Sequence, residues 1–237
     1  MYIITTVVSS IEFHRNMSLV IFMAKCPLKC RYCSNKEAFD VDEEMTFEEV
    51  KEIIDTNADF MDAVVVSGGE PLVQLDDVID ILTYVRTLGL KTKLDTSGVY
   101  PERIQKLLDL NLLDFVSLDV KAPFDKYKPI TGSDVGLKVK ESMELISEDE
   151  NVILETRTTY CPVLLSEEEV IEIASNVKSD IYTIQQFRNR CVLDESLATA
   201  EEPNPHDLRA LAKKVKPHFD GIIKVKSAEF GEQTIEE

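Results

Sequence analysis

Three cysteines fall within eight residues, Cys26, Cys30 and Cys33, spaced C-x3-C-x2-C. Thiolates at that spacing can fold around one soft metal centre. A disulfide would use two of them, and a closed zinc site would need a fourth ligand. No Cys or His follows at zinc-ribbon spacing: His14 precedes the group, and His206 and His218 are distant. A zinc loop closed by a remote ligand stays open on spacing alone. So does a [4Fe–4S] cluster, in which three thiolates leave one iron without a protein ligand and able to bind a small molecule. Cys161 and Cys191 are too isolated to hold a second cluster and are expected to be structural thiols. Such spacing makes no disulfide framework, so a reducing, cytoplasmic setting is expected.

The elements that must present this loop are legible from apolar patterning. Strand-like runs cover 18–24, 63–66, 91–94, 114–120, 152–159 and 181–186. Helical spacing marks 47–54, 77–88, 102–110, 137–146 and 167–177, with Ile104, Leu107, Leu108 and Leu112 on one stripe. Thr46 with Glu49, and Ser166 with Glu169, match capping boxes, and Pro101 suits a first helical turn. Alternating strands and helices imply parallel pairing with right-handed crossovers. About six β/α units are too few for a closed eight-stranded barrel, so an α/β fold with a partial (β/α)6 barrel is expected. One domain is expected over 1–237, with its core in 18–188. The C-terminal segment 206–229 adds a helix, 207–215, and a strand, 221–226. The first β/α connection, 25–45, is long and holds all three clustered cysteines. Long loops in compact domains are usually functional, and reactive groups gather beyond the carboxyl ends of parallel strands.

The bulk numbers narrow the partners. A formal net charge of −18 over 237 residues argues against a nucleic-acid surface. The longest apolar runs, such as 19–24, are strand-sized, so no membrane span is expected. The N-terminus lacks the basic region of a signal peptide.

Further motifs follow the other strands in order. After the second run comes Val66-Ser67-Gly68-Gly69-Glu70-Pro71, and after the third Leu94-Asp95-Thr96-Ser97-Gly98. Leu118-Asp119-Val120-Lys121, Thr156-Arg157-Thr158-Thr159 and Ile184-Gln185-Gln186-Phe187-Arg188 follow the next three. Paired glycines let a strand end approach a ligand, although an ordinary turn would explain them equally. Glu70 can accept hydrogen bonds from an amino group, and Pro71 stiffens the turn. Two neighbouring carboxylates, Asp95 and Asp119, repel unless a cation separates them, while helix capping would also explain strand-end aspartates. Lys121 and Arg157 suit a ligand carboxylate. Tyr32 offers an aromatic face, or simply packs the loop.

This set resembles the radical S-adenosylmethionine (SAM) superfamily, and within it the glycyl-radical-enzyme activases. The nearest branch is that of anaerobic ribonucleoside-triphosphate reductase activating proteins. The resemblance spans 18–188 and implies a radical SAM oxidoreductase with a [4Fe–4S] cluster on Cys26, Cys30 and Cys33. It further implies that SAM chelates the open iron through its amino and carboxylate groups. It assigns the segment holding Ser67, Gly68, Gly69 and Glu70 to the SAM amino group, and Tyr32 to adenine. Asp95, Thr96 and Asp119 become candidate ligands of a monovalent cation, with Ser97 beside them and Lys121 and Arg157 near the carboxylate and ribose. The implied reaction is reductive cleavage of SAM to a 5′-deoxyadenosyl radical, which abstracts hydrogen from a glycine of a partner such as anaerobic ribonucleotide reductase. Ferredoxin or flavodoxin would supply the electron. Lys25 stands where activases commonly have glycine, and Ser34 stands where many have histidine before Asn35. Two alternatives remain: a small-molecule radical enzyme resembling 7-carboxy-7-deazaguanine synthase, and a non-catalytic metal-stabilised binding protein.

Overall fold

A computed structural model of the chain describes residues 1–13 and 15–236, so His14, weighed above as a zinc ligand, lies outside the described residues. Among the described residues, nine strands form one sheet in sequential order: β1 (Ile3–Ser9), β2 (Ser18–Met23), β3 (Ala63–Gly68), β4 (Lys91–Thr96), β5 (Phe115–Asp119), β6 (Ile153–Tyr160), β7 (Ile181–Gln186), β8 (Ile222–Ser227) and β9 (Gly231–Thr234). Strands β2 to β8 pair in parallel, whereas β1 and β9 add antiparallel edges and do not join each other. The curved sheet is therefore an open barrel. Helices α1 (Phe47–Asn57), α2 (Leu75–Thr87), α3 (Pro101–Asp109), α4 (Lys128–Thr131), α5 (Gly136–Ser147), α6 (Glu167–Asn176) and α7 (Pro205–Val215) fill the crossovers. Both capping boxes form, at the starts of α1 and α6, and Pro101 opens α3.

Strand periodicity divides the sheet into an apolar and a polar face. Leu94, Val116, Leu118, Leu154, Ile184 and Ile223 join the main core with helix residues such as Ile81, Leu107 and Leu211. The alternating positions carry Lys93, Asp95, Ser117, Glu155, Arg157 and Thr183, all buried although polar. Register sets Asp95 beside Ser117, and Asp119 beside Arg157, across adjacent strands. A buried polar row must satisfy itself. Glu155 shows how: it accepts from Ser117 Oγ at 2.6 Å and Thr183 Oγ1 at 2.5 Å. At the base of this face the β1–β2 connection inserts Phe13 against Val20, Val65 and Phe115.

Three elements were absent from the sequence reading: β1, β9 and the short α4. The last has a function for the site. Its carbonyls at Ile130 and Thr131 accept from Arg31 and Lys29, tying the cysteine loop to the β5 side of the barrel.

Candidate cofactor site

The cysteine loop leaves β2 through an unusual backbone. Lys25 has φ 68°, in the left-handed region that costs a side-chain-bearing residue about 1–2 kcal/mol. That conformation explains why glycine suits this position. Lys25 is held there by Nζ donating to the Val41 carbonyl at 2.6 Å, by its N–H on Ala38, and by the Tyr2 ring 4.7 Å away. Lys25→Gly is expected to exchange relieved strain for these lost contacts. The melting temperature should stay within about 3 °C of the wild type, with unchanged iron per chain by colorimetric assay.

Glycines make the crossing of loop and strand end feasible. A Cβ on Gly68 would lie 2.2 Å from the Met23 carbonyl oxygen, and one on Gly69 would lie 2.3 Å from that of Lys25. Gly69 N–H donates to Met23 O at 2.8 Å, Glu70 N–H to Lys25 O at 2.9 Å, and Asn35 Nδ2 to Gly68 O at 2.8 Å. The end of β3 is thus laced to both sides of the cysteine loop.

These elements surround a cavity of about 300 Å³ at the carboxyl ends of the parallel strands. Cys26, Cys30 and Cys33 border it from the loop, with Tyr32 between them. Ser67, Gly68 and Gly69 border it from β3, Asp95, Thr96 and Ser97 from β4, and Asp119, Lys121 and Arg157 from β5 and β6. The cavity also takes Thr159, Gln185, Phe187 and Arg188 from the motifs at the ends of β6 and β7, residues to which the sequence attached no ligand role. Burial pushes the Cys26 thiol up to about 12 and raises Cys30 too, while the nearby Lys121 ammonium opposes the rise. Binding iron must therefore displace protons from these thiols.

The carboxylates are balanced by side chains. Arg157 bridges them, Nη1 lying 3.2 Å from Asp95 Oδ2 and Nε 2.9 Å from Asp119 Oδ1. Lys121 Nζ lies 3.0 Å from Asp119 Oδ2. Burial alone would raise the Asp95 carboxyl, but Arg157 and Lys93 outweigh it and hold it well below the usual range. Burial also opposes the ionised Asp119, and Arg157 and Lys121 overcome it.

The residues present fit an iron–sulfur cluster with an organic ligand. All three thiols are free of disulfides and share one cavity. Among the described residues, no three His, Cys, Asp or Glu side chains are grouped to hold a single metal ion. A cluster asks for less, since each of three irons takes one thiolate. Tyr32, beside the cavity, has a buried hydroxyl with no hydrogen-bond partner, so a polar ligand atom would satisfy it.

Comparison with known proteins decides the family. Residues 20–174 match the family described as the Radical SAM superfamily. The chain belongs to it. This radical SAM enzyme is 38% identical over 222 residues to MJ1227 of Methanocaldococcus jannaschii, provisionally named a glycyl-radical enzyme activating enzyme, covering 91% of each chain. It is 31% identical over 176 residues to the pyruvate formate-lyase-activating enzyme of Clostridium pasteurianum, covering 70% of this chain and 71% of that protein. Among solved structures, Streptococcus suis SuiB bound to S-adenosylmethionine superposes with a TM-score of 0.65 at 17% identity. That likeness covers 88% of this chain but only 52% of SuiB, and it concerns the fold alone. The cofactors of the radical SAM enzyme are a [4Fe–4S] cluster and SAM. No helix among the described residues is long and apolar enough to cross a membrane.

Glu70, expected to meet the SAM amino group, does not border the cavity. Its carboxylate is fully buried and turned towards the β4 end, where it accepts from Ser97 N–H at 2.7 Å, Ser97 Oγ, Thr96 Oγ1 at 2.8 Å and Leu72 N–H at 3.1 Å. The tight turn into Pro71 points the side chain inward, and a buried carboxylate is tolerable only where donors converge. Glu70 fastens the glycine turn to Thr96 and Ser97 and touches the cofactor space through them. Lys93, which sequence reasoning missed, pairs with Asp95 from beneath the cavity at 3.0 Å.

Proposed function

We propose that this radical SAM enzyme activates a glycyl radical enzyme, and that its partner is an anaerobic ribonucleotide reductase in the cytoplasm. The observation that carries the activase reading is the 38% identity to MJ1227 across 91% of both chains. The ribonucleotide reductase partner is supported by the order of strand-end motifs from Cys26 to Arg188. The chain works as one domain over 1–237, and a ferredoxin or flavodoxin delivers the electron.

When bound, the cluster and SAM supply one-electron cleavage of the sulfonium bond and the 5′-deoxyadenosyl radical that removes hydrogen from the glycine Cα. The protein's own groups bind, orient and exclude water. Cys26, Cys30 and Cys33 hold the metal centre on a loop braced by α4, Asn35 and the glycine turn. Lys121, partly buried, and Arg157, buried, lie beside the cavity fixed by Asp119 and present positive charge to the SAM carboxylate. Gly68 and Gly69, at the cavity edge, offer backbone groups to the SAM amino end, and Tyr32 borders the adenine space with its unpartnered hydroxyl. Thr159 and Gln185, adjacent across β6 and β7, lie on the polar face where the glycine strand enters.

The test is electron paramagnetic resonance of the reconstituted, reduced enzyme mixed with SAM and a candidate partner. A glycine-centred doublet is expected with anaerobic ribonucleotide reductase. A doublet only with a pyruvate formate-lyase-type partner would retain the activase and replace the partner. No doublet with any partner, together with turnover of a small heterocycle, would overturn the reading.

A further inference from the structure

Beneath the cofactor cavity, the buried face of the barrel carries a continuous ladder of charge. Lys93 lies in the middle of β4 with 2% of its surface exposed, two residues before Asp95, so both side chains share one face. Its ammonium sits 3.0 Å from Asp95 Oδ1 and donates to the Glu12 carbonyl at 2.5 Å. It also lies 5.5 Å from the Phe115 ring centroid and 5.9 Å from that of Phe13. Asp95, 8% exposed, takes Arg157 on its other oxygen at 3.2 Å, and Ser67 Oγ at 3.0 Å. Arg157, 9% exposed, reaches across to Asp119, whose second oxygen holds Lys121. Two carboxylates thus face three fixed side-chain cations, and the space between them is taken by a guanidinium. Thr96, the third candidate cation ligand, spends its hydroxyl on Glu70. An alkali ion inserted here would add a fourth positive charge to a desolvated site, where like charges repel strongly.

We propose that Lys93 and Arg157 do the work of a bound monovalent cation in this chain: Lys93 is a positioning residue that neutralises Asp95 from below and so holds Arg157 against the cofactor cavity, and SAM binds without sodium or potassium. The inference rests on SAM as cofactor and not on the identity of the substrate. A protein that never yields a glycyl radical can therefore still test it.

Equilibrium dialysis of labelled SAM against the anaerobically reconstituted protein gives the readout. Potassium or sodium chloride is compared with choline chloride at equal ionic strength. For the wild type the dissociation constant is expected to change by less than about threefold; tightening by more than that in either alkali salt overturns the proposal. Lys93→Met should weaken SAM binding about tenfold or more in choline, with potassium or sodium recovering part of the loss. Lys93→Arg should keep wild-type binding without the salt. Unaltered affinity in Lys93→Met would overturn the positioning role, whereas loss in both variants with no response to salt would reduce Lys93 to a packing residue and overturn it equally. Circular dichroism and iron content report whether each variant folds. Should Lys93→Met not fold, Lys93→Arg and the wild-type salt comparison decide. Failure of the wild type to bind SAM in any salt would instead remove the cofactor assignment itself.

Discussion

Cys30→Ala is expected to bind no stable [4Fe–4S] cluster and to form 5′-deoxyadenosine at least about a thousandfold more slowly than the wild type, while keeping its fold. Cys30 is the most buried of the three clustered cysteines, and its side chain packs into the main core beside the cavity. Removing one sulfur there leaves a small void, costing on the order of 1 kcal/mol, because the loop is held by backbone bonds that alanine preserves. Those bonds include Cys33 N–H on the Cys30 carbonyl and Arg31 N–H on that of Ile130. The loss should therefore be specific. Iron and sulfide analysis after anaerobic reconstitution, with chromatographic assay of deoxyadenosine under dithionite, checks it. Wild-type cofactor cleavage in this variant would contradict the ligand assignment.

The cysteines were legible because their chemistry is carried by residue type and spacing, which burial does not alter. Much of the barrel was legible for a similar reason. Strands with one apolar face show apolar residues at every second position, and the run expected over 181–186 is the strand Ile181–Gln186. What escaped depends on partners far away in sequence. Gly231-Glu232-Gln233-Thr234 has no strand pattern of its own and forms β9 on the open edge of β8. The β-branched run from Ile3 to Val8 does favour a strand, but Val7 and Val8 are half-exposed at the other edge, so no buried periodicity advertises it. Lys128-Pro129-Ile130-Thr131 hides α4 because a single turn of four residues is too short to show helical periodicity. Within the site, the direction of a side chain was the missing quantity. Asp95 and Asp119 were read as a repelling pair awaiting an ion, yet the register of β5 and β6 brings Arg157 alongside Asp119 and within reach of Asp95. A lysine in a strand ordinarily faces solvent, and here Glu12 and Phe13 of the β1–β2 connection, with Phe115, cover Lys93 at the barrel base.

Glu70 illustrates the same point with a measurable consequence. Glu70→Ala is expected to lower the melting temperature by roughly 10 °C, because it strands the donors of Leu72, Thr96 and Ser97 in a buried site. An unsatisfied buried donor costs about 1–3 kcal/mol, and partial relaxation should leave a net loss of about 3–5 kcal/mol. Glu70→Gln keeps the volume but turns an amide donor towards other donors, so a loss of about half that size is expected. Thermal unfolding followed by circular dichroism measures both. SAM affinity should fall in parallel, since Thr96 and Ser97 border the cavity and Glu70 does not. The two readouts separate a brace from a ligand contact. A direct contact predicts lost SAM binding at an unchanged melting temperature, whereas a brace predicts that alanine and glutamine lose stability in that order, with affinity following. Unchanged stability in Glu70→Ala would mean that the turn between β3 and α2 is held by its glycine crossing alone.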